Sequence, residues 1–296
     1  MPAPMLLVLT GMIVAFAGPA PAGQAAVATS AYVQIAADPQ MRSEVPRVAA
    51  LVNEAVPQVA AIVGATDLQP IPVRVYADRA AMLEGTGMPL RSGVVGFAVL
   101  PAGVIHLDGS ERLAKVEEVV PHEVAHVLIA RVLGGEGLAA LPLWLSEGIA
   151  EYAAGTEASQ VDPVWVRALS EGKSLRIAEL DEAIGAHGDR AGLAYAEAAS
   201  LVSFLVAKQG EGVIAELLRS IATTHDIEAS LSEVVGWSLD ELEEAWRTET
   251  VREWRWPLLF ESQAVWFSLM VLLFLAGLVR YLRERRRRQE SAEDDW

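Results

Sequence analysis

The segment PHEVAH, residues 121–126, sets two imidazoles four residues apart with a carboxylate directly after the first. If the segment is helical, His122 and His126 project from one face a single turn apart, so both rings can reach one ion. Glu123 then stands beside that ion, placed to take a proton from water without itself being a ligand. The chain has no cysteine, so any transition metal must be held by nitrogen and oxygen. Catalytic zinc takes three protein ligands and keeps a fourth position open, which calls for one more donor downstream. LPLWLSEGIAEY supplies Glu147, separated from His126 by twenty residues. That is enough chain to finish one helix, turn at Gly134-Gly135-Glu136-Gly137 and bring a second helix back against it.

The elements that must hold these residues follow from hydrophobic spacing. Apolar residues at 45, 48, 52, 56, 59 and 63 mark one face of a helix over Val45 to Val63, with Pro46 tolerable in the first turn and Pro57 expected to kink it. IPVRVYAD (71–78) alternates as a strand does. VVGFAVL and VIHLDG, joined by Pro101-Ala102-Gly103, read as a hairpin, giving a small antiparallel or mixed sheet. Helical patterns follow over 111–133, where Pro121 could kink or start the helix and Gly134-Gly135 stop it, then over 142–154, 191–209, 211–222 and 238–250, the last with Ser238 as N-cap. The predicted class is α+β, sheet first and helices after, with no internal repeat.

The two ends have a different character. Residues 5–17, MLLVLTGMIVAFA, are an apolar run too short for a comfortable span. The small-residue stretch GPAPAGQAAVA follows, with an A-x-A pattern at Ala20-Pro21-Ala22, and 1–22 therefore read as a signal peptide. AVWFSLMVLLFLAGLVRYL (264–282) has the length of a membrane helix. Trp254, Trp256, Phe260 and Trp266 gather before it and Tyr281 lies at its other end, and a basic tail, 283–296, opens with RERRRR. That pattern predicts a single-pass membrane protein with its body outside the cytoplasm, periplasmic or extracellular, and its C-terminus inside. The net charge is −16; removing residues from 280 onward leaves 17 basic and 34 acidic side chains, so the acidity belongs to the body. Such a surface repels nucleic acid.

HExxH followed by W-L-x-E-G-x-A, here His122, Glu123, His126 and Trp144-Leu145-Ser146-Glu147-Gly148-Ile149-Ala150, resembles the gluzincin metallopeptidases, in particular the bacterial peptidase MA-like domains. The resemblance runs over roughly 45–250 and implies a zincin-like domain, placed at 31–250. It also implies Zn²⁺ on His122, His126 and Glu147, and hydrolysis of peptide or protein substrates with Glu123 as general base. Glu151, one turn after Glu147, either accepts the second N–H of a ligand histidine, as an acid at this offset does in some gluzincins, or is a solvated charge. Related gluzincins stabilise the reaction's oxyanion with a downstream Tyr or His. Tyr195 is the first candidate and His187 its rival, while packing of the Tyr195 ring in the core is the plain alternative. His106 and His225 read as structural or exposed. The hairpin strand containing Gly93 and Gly96 is either the edge along which substrate lies or a simple closure of the sheet. A membrane-anchored binding module that keeps the fold without catalysis is the competing functional class.

Overall fold

The computed structural model describes residues 13–14, 26–89, 93–111, 113–155, 168, 172–186, 188–261 and 263–293. The expected leader apart from 13–14, its Ala20-Pro21-Ala22 triplet and His187 lie outside these. The chain forms two compact units, Met1–Trp246 and Arg247–Trp296.

The first unit holds a mixed sheet of β1 (Ile13–Val14), β2 (Ala26–Thr29), β3 (Val33–Ala37), β4 (Ile71–Tyr76), β5 (Gly96–Leu100) and β6 (Val104–Asp108) in the order β1-β5-β6-β4-β3-β2. β3, β4 and β6 run parallel, β2 and β5 pair antiparallel to their neighbours β3 and β6, and β1 lies parallel to β5. The expected hairpin is β5–β6, and Gly103 in its turn takes φ +66°, a backbone open to glycine. β2 and β3 have no counterpart in the sequence reading, which placed only a small-residue segment at 18–28 and nothing between it and Val45.

Helix α1 (Val45–Val63) buries the expected stripe and ends at Gly64 in the left-handed region, whose N–H returns to Ala60; it runs through Pro57 as one helix. A short helix not expected from the sequence, α2 (Arg79–Thr86), is capped by the Asp78 carboxylate and closed by Gly87 at φ +65°. With Met82 it covers the sheet face that carries Tyr76, Phe97 and Val99. On the opposite face α1 packs against α3 (Leu113–Ala140), which in turn touches β5 and β6. Helix α3 continues through Pro121, and its only non-helical residue is Gly134, close to the predicted stop. Val119, Val120, Val124, Ala125, Val127, Leu128 and Ile129 are all fully buried, so α3 is enclosed on every side.

Helices follow: α4 (Leu143–Ala153), α5 (Ile177–Gly185), α6 (Asp189–Gln209), α7 (Val213–Thr224), α8 (Ile227–Val234) and α9 (Leu239–Glu261), which passes from the first unit into the second; α4 and α7 pack on α3, and α6 packs on α4. Three of these helices receive N-terminal acceptors from distant side chains. Asp181 accepts from the N–H groups of Leu143 (3.1 Å) and Trp144 (2.7 Å), Glu243 from Ile177 (2.9 Å) and Glu228 from Leu239 (3.3 Å). Helix α6 is long and apolar enough to cross a membrane, yet most of it is buried in this unit, so its apolar character serves the core.

In the second unit, α10 (Gln263–Glu293) contains the expected span. From Trp266 to Tyr281 it exposes a run of large apolar side chains including Phe267, Met270, Leu272, Leu273 and Phe274.

Candidate metal centre

Three donors converge between α3 and α4. The Nε2 atoms of His122 and His126 are 3.1 Å apart, and Oε2 of Glu147 lies 3.3 Å from the first and 3.5 Å from the second. All three residues are buried. The spacing comes from two sequence facts. One turn of α3 sets the histidines side by side, and the break at Gly134 lets α4 return so that Glu147 meets them. A tetrahedral ion with ligands at about 2.0–2.2 Å has ligand–ligand edges of roughly 3.3–3.6 Å. The triangle of donors fits such an ion. Beyond its contacts with the two histidines, the Glu147 carboxylate finds no hydrogen-bond partner among the described residues, and a buried carboxylate so placed is costly unless a cation satisfies it.

The second nitrogen of each histidine is also engaged. Nδ1 of His122 is 3.5 Å from Oε1 of Glu151, and Nδ1 of His126 is 3.2 Å from Oγ of Ser146. Both contacts leave Nε2 turned toward the shared point and hold the ring orientation. Glu151 thus lies on the side of His122 away from the shared point. Ser146 escaped the sequence reading because it occupies the variable position of W-L-x-E-G; only the fold shows that position one facing His126.

Glu123 lies fully buried next to this cluster with no hydrogen bond to either oxygen. Burial raises its pKa and Glu147 adds to the rise; His122, His126 and the nearby Ala98 backbone N–H oppose it. A raised carboxyl is a competent proton acceptor nearer neutral pH. Burial would lower the pKa of His122, but its hydrogen bond to Glu147 and the charges of Glu151, Glu147 and Glu123 prevail and push it up to about 9. Burial would raise that of Glu147, yet the two histidines bring it down to about 2. Both shifts express the same preference, for positive charge where the three donors meet.

The remaining candidates divide clearly. Tyr195 is buried on α6. It precedes by three and seven residues Ala198 and Val202, the contacts that a Cβ on Gly148 would meet, and so shares the α6 face turned toward α4. Trp144 and Leu145 are core residues. His106 is remote from the cluster. It stacks between Tyr76 and Phe97 on the α2 side of the sheet, its Nδ1 2.9 Å from the Tyr76 hydroxyl, and serves the fold. His225 caps α7 in the left-handed region, half-exposed and 3.8 Å from Glu136. Gly96 does not face an open cleft. A side chain there would meet Leu107 at 2.7 Å and Val119 at 2.9 Å, so the glycine admits α3 to the sheet.

The sequence matches the profile of the Peptidase MA superfamily over residues 51–252, more than half the chain. No curated protein matches it. Among solved structures it is similar to the M1 zinc metallopeptidase E323A mutant from Deinococcus radiodurans, at 15% identity and a TM-score of 0.38, over 76% of this chain and 50% of that one. The chain thus spans about half the length of that neighbour.

Proposed function

This chain belongs to the Peptidase MA superfamily, and on that premise we propose that it is a zinc metallopeptidase acting on peptide or protein substrates. The observation that carries the reading is the donor triangle of His122, His126 and Glu147, with edges of 3.1, 3.3 and 3.5 Å, beside the buried and unpaired carboxylate of Glu123. Zinc held there supplies Lewis acidity, making water more acidic and polarising the scissile carbonyl. Glu123 accepts a proton from the attacking water and passes it to the departing amine. Glu151 and Ser146 keep the two ligand rings aimed. Tyr195 donates a hydrogen bond to the oxyanion, a role worth about 3 kcal/mol where a single donor has been removed. Substrate lies along β5. In the antiparallel β5–β6 pair, Val95 accepts from Asp108 and Val99 from Gly103, so the backbone groups of Gly96, Ala98 and Leu100 point away from β6 toward the edge near Glu123.

The two apolar segments complete the proposal. Residues 1–22 direct export, α10 anchors the chain through 264–282, the catalytic unit faces outside the cytoplasm, and 283–296 remain within it. The exposed apolar run of α10 supports that reading.

Metal analysis of the full chain tests the site. One zinc per chain is expected, greatly weakened by His122→Ala, His126→Ala or Glu147→Ala. Glu123→Gln should keep the metal and lose activity by about 10²–10⁴-fold. Loss of zinc from that variant would give Glu123 a different role, and full zinc content in all three ligand variants would refute the centre.

A further inference from the structure

The edge of β5 already carries a strand. Ile13 pairs with Val99 and Val14 with Leu100, in parallel, on the side of β5 away from β6. That side is where Ala98 and Leu100 direct their backbone groups, and the Ala98 N–H stands next to the carboxylate of Glu123. Resting on the reading that peptides bind along β5, we propose that β1, Ile13–Val14, is an intramolecular occupant of the substrate edge, holding the chain that retains it in a latent state. The occupant is extended peptide backbone, the same chemistry as the substrate, so the two compete for one row of donors and acceptors.

The connection allows it. β1 and β2 stand at opposite ends of the sheet, five inter-strand steps or about 24 Å apart, and the twelve residue steps from Val14 to Ala26 reach about 40 Å when extended. Two paired residues bring few hydrogen bonds, each worth about 0.5–1.5 kcal/mol net. Tethering raises the local concentration of the segment to roughly millimolar, enough to compete with dilute peptide but not with a tightly bound partner. A chain shortened at the Ala20-Pro21-Ala22 triplet would lack β1, and its edge would be open from the outset.

The test compares the full chain in detergent with its Ile13→Pro/Val14→Pro variant, since proline cannot donate to a ladder and disfavours strand pairing. Hydrogen exchange of the metal-free proteins is read over residues 96–100, and hydrolysis of an unstructured peptide mixture by the zinc-loaded ones. We expect roughly tenfold faster exchange at Leu100, whose N–H is the donor this register offers to β1, together with a KM about tenfold lower at unchanged kcat. Equal exchange in the two proteins would overturn the pairing. Faster exchange at unaltered KM would overturn latency and move the substrate off β5. Hydrolysis by neither protein would refute the peptidase reading, and latency with it, while the exchange data would still judge the pairing alone.

Discussion

Gly148→Ala should disable the metal centre without touching a ligand. Helix α4 meets α6 at this glycine, where an added Cβ would lie 2.5 Å from the Ala198 carbonyl oxygen and 2.8 Å from Cγ2 of Val202. A comfortable carbon–oxygen contact is about 3.3 Å, so α4 must withdraw by roughly 0.8 Å. The obstacle is backbone and cannot swing aside. Glu147 is the adjacent residue, and ligand distances tolerate only about 0.2 Å of error, so the shift exceeds the tolerance about fourfold. Zinc affinity is expected to fall about 10–100-fold, the range seen when groups supporting a ligand are lost. Stability should change far less: overpacking costs about 1–3 kcal/mol, and replacing a helical glycine returns about 1 kcal/mol. The assay is competition for zinc against a chromophoric chelator, with thermal unfolding of the metal-free protein as the measure of folding. Gly212→Ala, whose Cβ would find only Glu216 at 3.8 Å, serves as control. A folded Gly148→Ala protein that holds zinc as tightly as the parent would refute the reasoning.

Zinc binding at pH 7 should release about one proton, because His122 of the metal-free chain, with a pKa of about 9, is protonated there and must lose its proton to ligate. Calorimetry in buffers of differing ionisation enthalpy measures this, and no release would contradict the charge state described. His106 is held neutral, first by burial and then by the charge of Arg74, with its pKa lowered to about 4. Its unfolded pKa is about 6.5, so it contributes stability above that pH which is lost as pH falls toward 4, about 3 kcal/mol in all. Urea unfolding at pH 7 and 4.5 should show this loss in the parent and much less of it in His106→Gln; equal losses would exclude His106 as the source. For the membrane topology, a protease added to intact cells should leave the C-terminus beyond Arg283 untouched, and cleavage there would reverse the assigned orientation.

The convergence of His122, His126 and Glu147 was legible because its information is local: a four-residue period, a glycine stop at Gly134 and a carboxylate within a recognisable helix. The α1 stripe and the β5–β6 hairpin were legible for the same reason. Helix α2 was not, although it carries both end signals, Asp78 and Gly87, because it buries only Met82 and so has no apolar stripe. β2 and β3 fell within or just after a small-residue segment whose pairing is fixed by strands further along the chain. Neither Pro57 nor Pro121 ends its helix, since packing around α1 and α3 holds helical dihedrals against the lost hydrogen bond. Ser146, Asp181 and the β1–β5 pairing depend on contacts between distant segments, which spacing along one stretch cannot reveal.

The ligand-bearing helix α4 takes its N-terminal acceptor from Asp181 and its wall from Ala198, residues that follow Glu147 by more than thirty and fifty positions. A ribosome completes the HExxH helix well before either exists. The growing chain therefore displays two histidines and a glutamate that cannot yet grip an ion together, and the centre closes only once α6 has been made and docked. On the proposed reading, metal capture is then a late event of biogenesis, and a product truncated before residue 198 would lack the wall that sets Glu147 against the histidines.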